Sequence, residues 1–386
     1  MSERADAANG VVGPGNCNEA GFNSVLSTVD NSGGGTITFN CGTATIPVTV
    51  YKQVAHAVTI DGGGTITFDG GNVSAFFQIY SSSTTTLKRL TLQHGVMSAS
   101  HALENFGVLT LDTVLMQNNS STAAAILNQN TLIVRSSTFS NNVNTATNFN
   151  GDGGAIENDG GSATIRTSTF TSNTAGRDGG AIANVSGDVG VERSTFKGNS
   201  AARYGGAIRS ASDMSVTNST FNGNTGTSGG GAIYQDGTGA SSVTYITAIG
   251  NSAPFGAGVY NDGGGNATLT ITKSILGSNT TGNCDGVLQT GGYNLSSDTH
   301  CGSVFTGTGD LNSQTLSMGA LASNGGPTQT MLPQAGNPAI NHIPSAQCAI
   351  SLDQRGAVRP SGAGCDSGAL EVGGSLTDLI FYDAFE

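Results

Sequence analysis

One phrase returns five times between residues 152 and 261, and it limits what this chain can fold into more than any other feature. It reads Asp152 followed by GGAIEN, Asp178 by GGAIAN, Tyr204 by GGAIRS, Gly229 by GGAIYQ and Phe255 by GAGVYN. The glycines that follow the leading residues are Gly153, Gly179, Gly205, Gly230 and Gly256, so the steps are 26, 26, 25 and 26 residues. A fixed period of this size marks one supersecondary unit stacked on copies of itself, because a single copy cannot bury its own apolar face.

A second phrase keeps the same beat. VRSSTFSNN, IRTSTFTSN, VERSTFKGN and VTNSTFNGN, starting at Val134, Ile165, Val191 and Val216, fade to ITKSILGSN at Ile271. An aliphatic residue and a Phe or Leu stand five apart in each, and an Asn follows three later. Strand side chains alternate, so the residue after each aliphatic faces outward and gives the column Arg135, Arg166, Glu192, Thr217, Thr272. With no helical pattern between the repeats, parallel strands must be joined by other strands, and the chain must coil. Its rungs would stack about 4.8 Å apart. Ile156, Ile182, Ile208, Ile233 and Val259 then form an internal file, as do Phe170, Phe196 and Phe221. Asn142, Asn173, Asn199, Asn224, Asn251 and Asn279 are expected in left-handed turn positions, with their amides bonded from rung to rung.

The flanks differ. Residues 1–15 are expected to be a flexible leader and residues 16–46 a cap, in which Phe22, Val25, Leu26 and Val29 mark one face of a short helix ended by glycines. Residues 47–281 are expected to form an all-β, right-handed parallel β-helix of about ten coils. Beyond these come a disulfide-bearing module at 282–371 and a tail at 372–386.

Only 10% of residues are charged, yet the apolar residues are periodic, which separates the chain from disordered sequences. Fourteen Lys and Arg against 26 Asp and Glu give a formal charge of -12, which disfavours nucleic acid and anionic membrane surfaces as partners. No apolar run is long enough to span a bilayer as a helix. Six cysteines allow fifteen pairings, and proximity favours Cys17 with Cys41, Cys284 with Cys301, and Cys348 with Cys365. None has the spacing of a zinc or redox site, so structural disulfides and an oxidising compartment are expected. The start, MSERADAANG, lacks the apolar region of a signal peptide, so export implies earlier removal of one.

The GGAI and STF phrases resemble the right-handed parallel β-helix regions of bacterial exported proteins, a group that includes polymorphic outer-membrane proteins and pectate-lyase-like folds. After Asn279, GGYNLSSD (291–298), LASNGGPTQTMLP (321–333), GNPAIN (336–341), DQRG (353–356), RP (359–360) and CDSGALE (365–371) resemble a C-terminal choice-of-anchor module. The terminal LIFYDAFE (379–386) looks like a short signal found on exported proteins of some proteobacteria. These resemblances imply secretion or display on the outer surface of a bacterium and carry no catalytic motif.

The most varied surface predicted by the stacking combines three columns. Asp152, Asp178, Tyr204, Gly229 and Phe255 precede the glycine pairs; Glu157, Ala183, Arg209, Tyr234 and Tyr260 follow the central aliphatic residue; Asp159, Asp236 and Asp262 occupy a turn. Arg177 and Arg203 join them. Asp152 and Asp178 on consecutive rungs would bring two carboxylates about 5 Å apart, the spacing of a retaining glycosidase, or a pair able to chelate calcium. The competing reading is that both are turn residues before glycine. Tyr234 and Tyr260 would stack as an aromatic face for sugars, or simply pack across strands. Arg166 beside Glu192 reads as a surface ion pair. Asp353, Arg355, Arg359 and Asp366 read as an internal salt-bridge network. The five histidines show no ligand spacing, and no hydrolase, nucleotide or zinc-protease motif occurs.

The leading expectation is an adhesin-like scaffold that binds polysaccharide or surface glycan as a monomer. It requires no cofactor, and calcium is the one ion the pattern could accommodate. The alternative is a polysaccharide lyase or glycoside hydrolase using Asp152, Asp178, Arg177, Tyr204 and Arg209, with Glu157, Arg203, Tyr234 and Tyr260 holding substrate. Ice or mineral binding through Thr rows ranks third, because the outward columns are mixed.

Overall fold

The computed structural model describes residues 7–96 and 101–376; the terminal LIFYDAFE phrase lies outside them. The chain is an all-β parallel β-solenoid of about 11 turns with about 25 residues per turn. It divides into two units, Met1–Thr164 with Phe170–Val189, and Ile165–Thr169 with Gly190–Glu386.

In the first unit the rungs pair in parallel and in register, with Phe77 beside Leu103, Leu103 beside Ile126, and Ile126 beside Ile156. All four side chains are buried. The Phe139 and Phe170 rings lie 4.7 Å apart and parallel to within 2°, which is the separation of neighbouring strands. The repeat therefore places identical side chains at strand spacing, and each aromatic ring fills the gap above the one before it.

An asparagine ladder runs beside this core. Asn119 Nδ2 donates to Asn142 Oδ1 at 2.8 Å, and Asn142 Nδ2 to Asn173 Oδ1 at 2.9 Å. A second ladder joins Asn105, Asn128, Asn158 and Asn184 in the same way, at 2.7, 2.7 and 2.9 Å. Buried amides are thus satisfied by the next copy of themselves. The expected left-handed backbone belongs to the residue before each member of the first ladder, Asn118, Asn141 and Ser172. The asparagine itself follows the bend and turns its amide inward.

Part of the expected leader is a strand: Gly10–Val12 pairs in parallel with Gly34–Phe39. The helix Glu19–Asn31 begins at Asn18, whose side chain accepts from Gly21 N–H at 2.9 Å. It buries Phe22, Leu26 and Val29, and the Phe22 ring packs on Phe39, Phe68 and Phe77. Glu19 fixes the helix to the coil through Lys52 Nζ and the Thr49 and Val50 amides. Burial raises its pKa, and these donors together overcome that and hold it at about 2. Cys17 and Cys41 are joined.

The second unit repeats the pattern. Ile208, Ile233, Val259 and Cys284 stand in one file, and the Phe196 and Phe221 rings lie 4.8 Å apart. The asparagine ladder runs from Asn199 through Asn224, Asn251 and Asn279 to Asn283. Rung pairing continues past the point where the sequence rhythm stops, through Cys284–Gly286, Leu288–Thr290 and Leu295–Ser296.

The remaining chain of this unit returns along the flank of the coil. Thr220 Oγ1 donates to Gln354 Oε1 at 2.6 Å, Gln354 Nε2 to Thr195 Oγ1 at 2.9 Å, and Asn218 Nδ2 to Leu352 O at 2.9 Å. Met331, Leu316, Met318 and Leu321 cover Ile249, Ile275 and Leu295. The expected ionic network is present with a different partner set. Arg355 pairs with Asp353 at 2.8 Å, and Arg359 pairs with Glu371, while Asp366 accepts the backbone N–H groups of Asn341 and Val372. Cys284–Cys301 and Cys348–Cys365 are both formed.

Candidate functional site

The first unit holds Asp152, Arg177, Asp178 and Glu157. Both aspartates precede a left-handed glycine, Gly153 and Gly179, whose φ values are 71° and 69°. Only glycine enters that region without steric cost, so the turn is fixed by the GG pair. The carboxylates do not line a solvent-facing strip: Asp152 is 2% exposed and Asp178 1%. Arg177 Nη1 donates to Asp152 Oδ2 at 2.8 Å, and its Nε lies 3.6 Å from Asp178 Oδ2. A guanidinium thus stands where calcium or a reacting sugar would have to stand. Buried carboxylates require such a counter-charge. Phe149, 81% exposed, lies with its ring centroid 4.7 Å from the Arg177 guanidinium. Among the described residues no group of three or more His, Cys, Asp or Glu is placed to hold a metal ion.

Glu157 belongs to a different group. Its column contains Gln53, Gln78, Glu104, Leu127 and Glu157 on successive rungs. His101 reaches across Leu127, with Nε2 3.3 Å from Glu157 Oε2 and Nδ1 3.9 Å from Glu104 Oε1. Gln78 Nε2 donates to Glu104 Oε2 at 2.9 Å. Burial lowers the His101 pKa, and the two carboxylates outweigh it, leaving the pKa above its usual value. No sequence spacing marks His101, because it enters from a loop. Glu157 was legible only as a member of an outward column, and Glu104 lies ahead of the phrases that define that column.

The second unit gathers the aromatic residues. The Tyr204 and Tyr234 rings stack at 4.4 Å and 14°. Tyr260 meets Tyr234 edge-on, at 5.3 Å and 67°, so the stack expected between these two lies one step earlier. Phe255 extends the row, 6.5 Å from Tyr260 and 55% exposed. Gly229 makes the crowding possible: a Cβ there would lie 2.7 Å from Tyr260 Cδ1 and 3.4 Å from Tyr204 Cδ1.

Polar groups fix this row. Tyr234 Oη donates to Asp262 Oδ2 at 2.6 Å. Burial and then Asp262 push its pKa well above the usual phenol value, so it remains a donor. Arg203 lies 5.5 Å from the Tyr204 ring centroid. Arg177 and Arg209, grouped around Asp178 by sequence, serve different carboxylates: Arg209 Nη2 donates to Asp236 Oδ2 at 2.8 Å. Asp285 follows Tyr260 on the next rung, a position the repeat did not reveal because its phrase ends one coil earlier.

Residues 167–185, 193–211 and 218–236 match the Chlamydia polymorphic membrane protein (Chlamydia_PMP) repeat. Each matched stretch joins one STF phrase to the GGAI phrase that follows it, so the chain is similar to that repeat over the greater part of each of three rungs and carries Arg177, Tyr204 and Tyr234 within them. No match was found among curated proteins or among solved structures.

Proposed function

We propose that this chain is an exported bacterial surface protein of adhesin type that binds extracellular glycan through the aromatic row of its second unit. The carrying observation is the row itself. Tyr204, Tyr234, Tyr260 and Phe255 are brought side by side by the stacked rungs, and the first two lie within the stretches similar to a polymorphic membrane protein repeat. Tyr234 is buried between Tyr204 and Tyr260, and the exposed parts of Tyr204, Tyr260 and Phe255 offer apolar surface to the C–H faces of sugars, while Tyr and Asp edges supply hydrogen bonds. Three disulfides suit an oxidising compartment. The flank-bound C-terminal segment, with its resemblance to choice-of-anchor modules, is assigned to attachment or display.

Hydrolysis or elimination is the less favoured chemistry. Arg177 already occupies the space between the buried Asp152 and Asp178 as a counter-charge to both, and the reading requires no calcium.

A glycan array probed with the purified chain tests the proposal. Binding to a defined set of glycans that Tyr260→Ala reduces, with no release of reducing ends or unsaturated products, supports it. Turnover lost in Asp178→Asn would replace it with the enzyme reading.

A further inference from the structure

Resting on the glycan-binding reading, we infer that the Tyr260 end of the aromatic row selects sugars that carry a protonated amine, of the glucosamine class, over N-acetylated and acidic sugars. Charge is distributed unevenly along the row.

At the Tyr204 end each charge has an assigned role: Arg203 lies over the Tyr204 ring, and Arg209 is paired with Asp236. The Tyr260 end differs. Asp262 accepts Tyr234 Oη and Gly264 N–H, and Asp285 accepts Gly286 N–H at 2.7 Å. Neither has a basic partner within salt-bridge distance among the described residues. Both lie close enough to Tyr260 to raise its phenol pKa, after burial. Two carboxylates without a counter-cation among the described residues thus stand beside a half-buried Tyr ring, which the exposed Phe255 ring adjoins.

A ring face and a carboxylate attract the same ligand charge. The quadrupole of Tyr260 and Phe255 favours a cation over the ring, and Asp262 and Asp285 favour an N–H donor bearing positive charge. A uronate would bring a like charge against both carboxylates, which costs affinity. An N-acetyl group keeps the sugar faces and removes the charge, so it isolates the electrostatic part. Gly229 adds shape: the space left by its missing side chain lets the Tyr260 ring fold inward, leaving the ring edge and Asp285 to border the position where an amine would sit.

The test measures binding of the full chain to glucosamine oligomers, N-acetylglucosamine oligomers and oligogalacturonate at mildly acid pH by calorimetry. Glucosamine oligomers are expected to bind about tenfold more tightly than the N-acetylated ones, the size of one desolvated cation–π contact, and oligogalacturonate weakest. Added salt should erode the preference. Asp285→Asn keeps an acceptor for Gly286 N–H and removes the charge; it should bring the preference down to about threefold or less, leaving N-acetylglucosamine binding unchanged, as expected for loss of one of two carboxylates. Equal binding of the amine and N-acetyl forms, or tightest binding of the uronate, overturns the selectivity and leaves the glycan reading standing. Failure of all three probes, together with an empty glycan array, overturns both.

Discussion

Arg359 Nη1 and Glu371 Oε2 meet at 3.0 Å with neither side chain exposed to solvent. The guanidinium also lies 4.3 Å from the centroid of the Tyr245 ring and donates to the Asp366 and Gly368 carbonyls. One side chain therefore gathers two turns of the C-terminal segment onto a ring of the coil. Such a pair contributes little net energy when intact but costs much to break, because the survivor is left charged and buried. Glu371→Gln should destabilise the second unit by about 3–5 kcal/mol, read by chemical denaturation. The double replacement Arg359→Met with Glu371→Leu should recover part of that loss. If Glu371→Gln is neutral, the pair does not hold the segment in place.

The asparagine ladder makes a second, independent claim on stability. Asn251 Oδ1 accepts both the backbone N–H and the amide of Asn224, and its own amide reaches Asn279 Oδ1 and Phe221 O. Asn251→Leu keeps the volume and strands two buried donors of Asn224. At about 1–3 kcal/mol for each orphaned group, the expected loss is about 2–6 kcal/mol. Asn222→Leu, a substitution one rung earlier in a half-buried outward position, should cost far less.

His101 gives a pH dependence whose sign is fixed by its neighbours. The facing groups are Glu104 and Glu157, with Gln78 behind Glu104. They favour the imidazolium strongly enough to overcome burial, so the folded pKa lies above the ordinary 6.5. A proton bound more tightly in the folded state stabilises it fully below the unfolded pKa, and that contribution fades as pH rises through the folded value. The first unit should therefore lose stability from about pH 6.5 upward, and His101→Gln should flatten that limb. An NMR titration placing His101 below 6.5 would contradict the assignment.

How much of this was legible in the text follows from what repeats. Ile208, Ile233 and Val259, or Phe196 and Phe221, recur at one period, so their stacking can be read from the letters alone. Turn geometry was displaced by one residue, because the left-handed bend at Gly223 or Gly250 and the inward amide at Asn224 or Asn251 are adjacent and both belong to the turn. The carboxylates misled for a different reason. A period fixes which residues are neighbours but not which way a turn residue points, and Asp152 points inward because Arg177, one rung away, offers a charge to bury with it. His101 and Glu371 lie outside any repeat, and only coordinates bring them to their partners.

Gly229 is the residue whose replacement separates packing of the aromatic row from its use. Its φ lies outside the left-handed region that would penalise a side chain, so alanine fits the backbone, and the conflict falls on Tyr260 Cδ1 and Cε1 at 2.7 and 2.9 Å. The ring must swing away, which opens its edge contact with Tyr234 and moves the phenol relative to Asp262 and Asp285. An aromatic pair is worth about 0.5–1.5 kcal/mol beyond its buried area, so Gly229→Ala should shift stability by no more than about that amount. Near-ultraviolet circular dichroism should nonetheless change, since three tyrosines share one environment. Oligosaccharide binding should weaken by about tenfold, the free-energy equivalent of one such contact. If the dichroism changes and the affinity does not, the ligand does not touch Tyr260, and the binding surface must be sought elsewhere on the second unit.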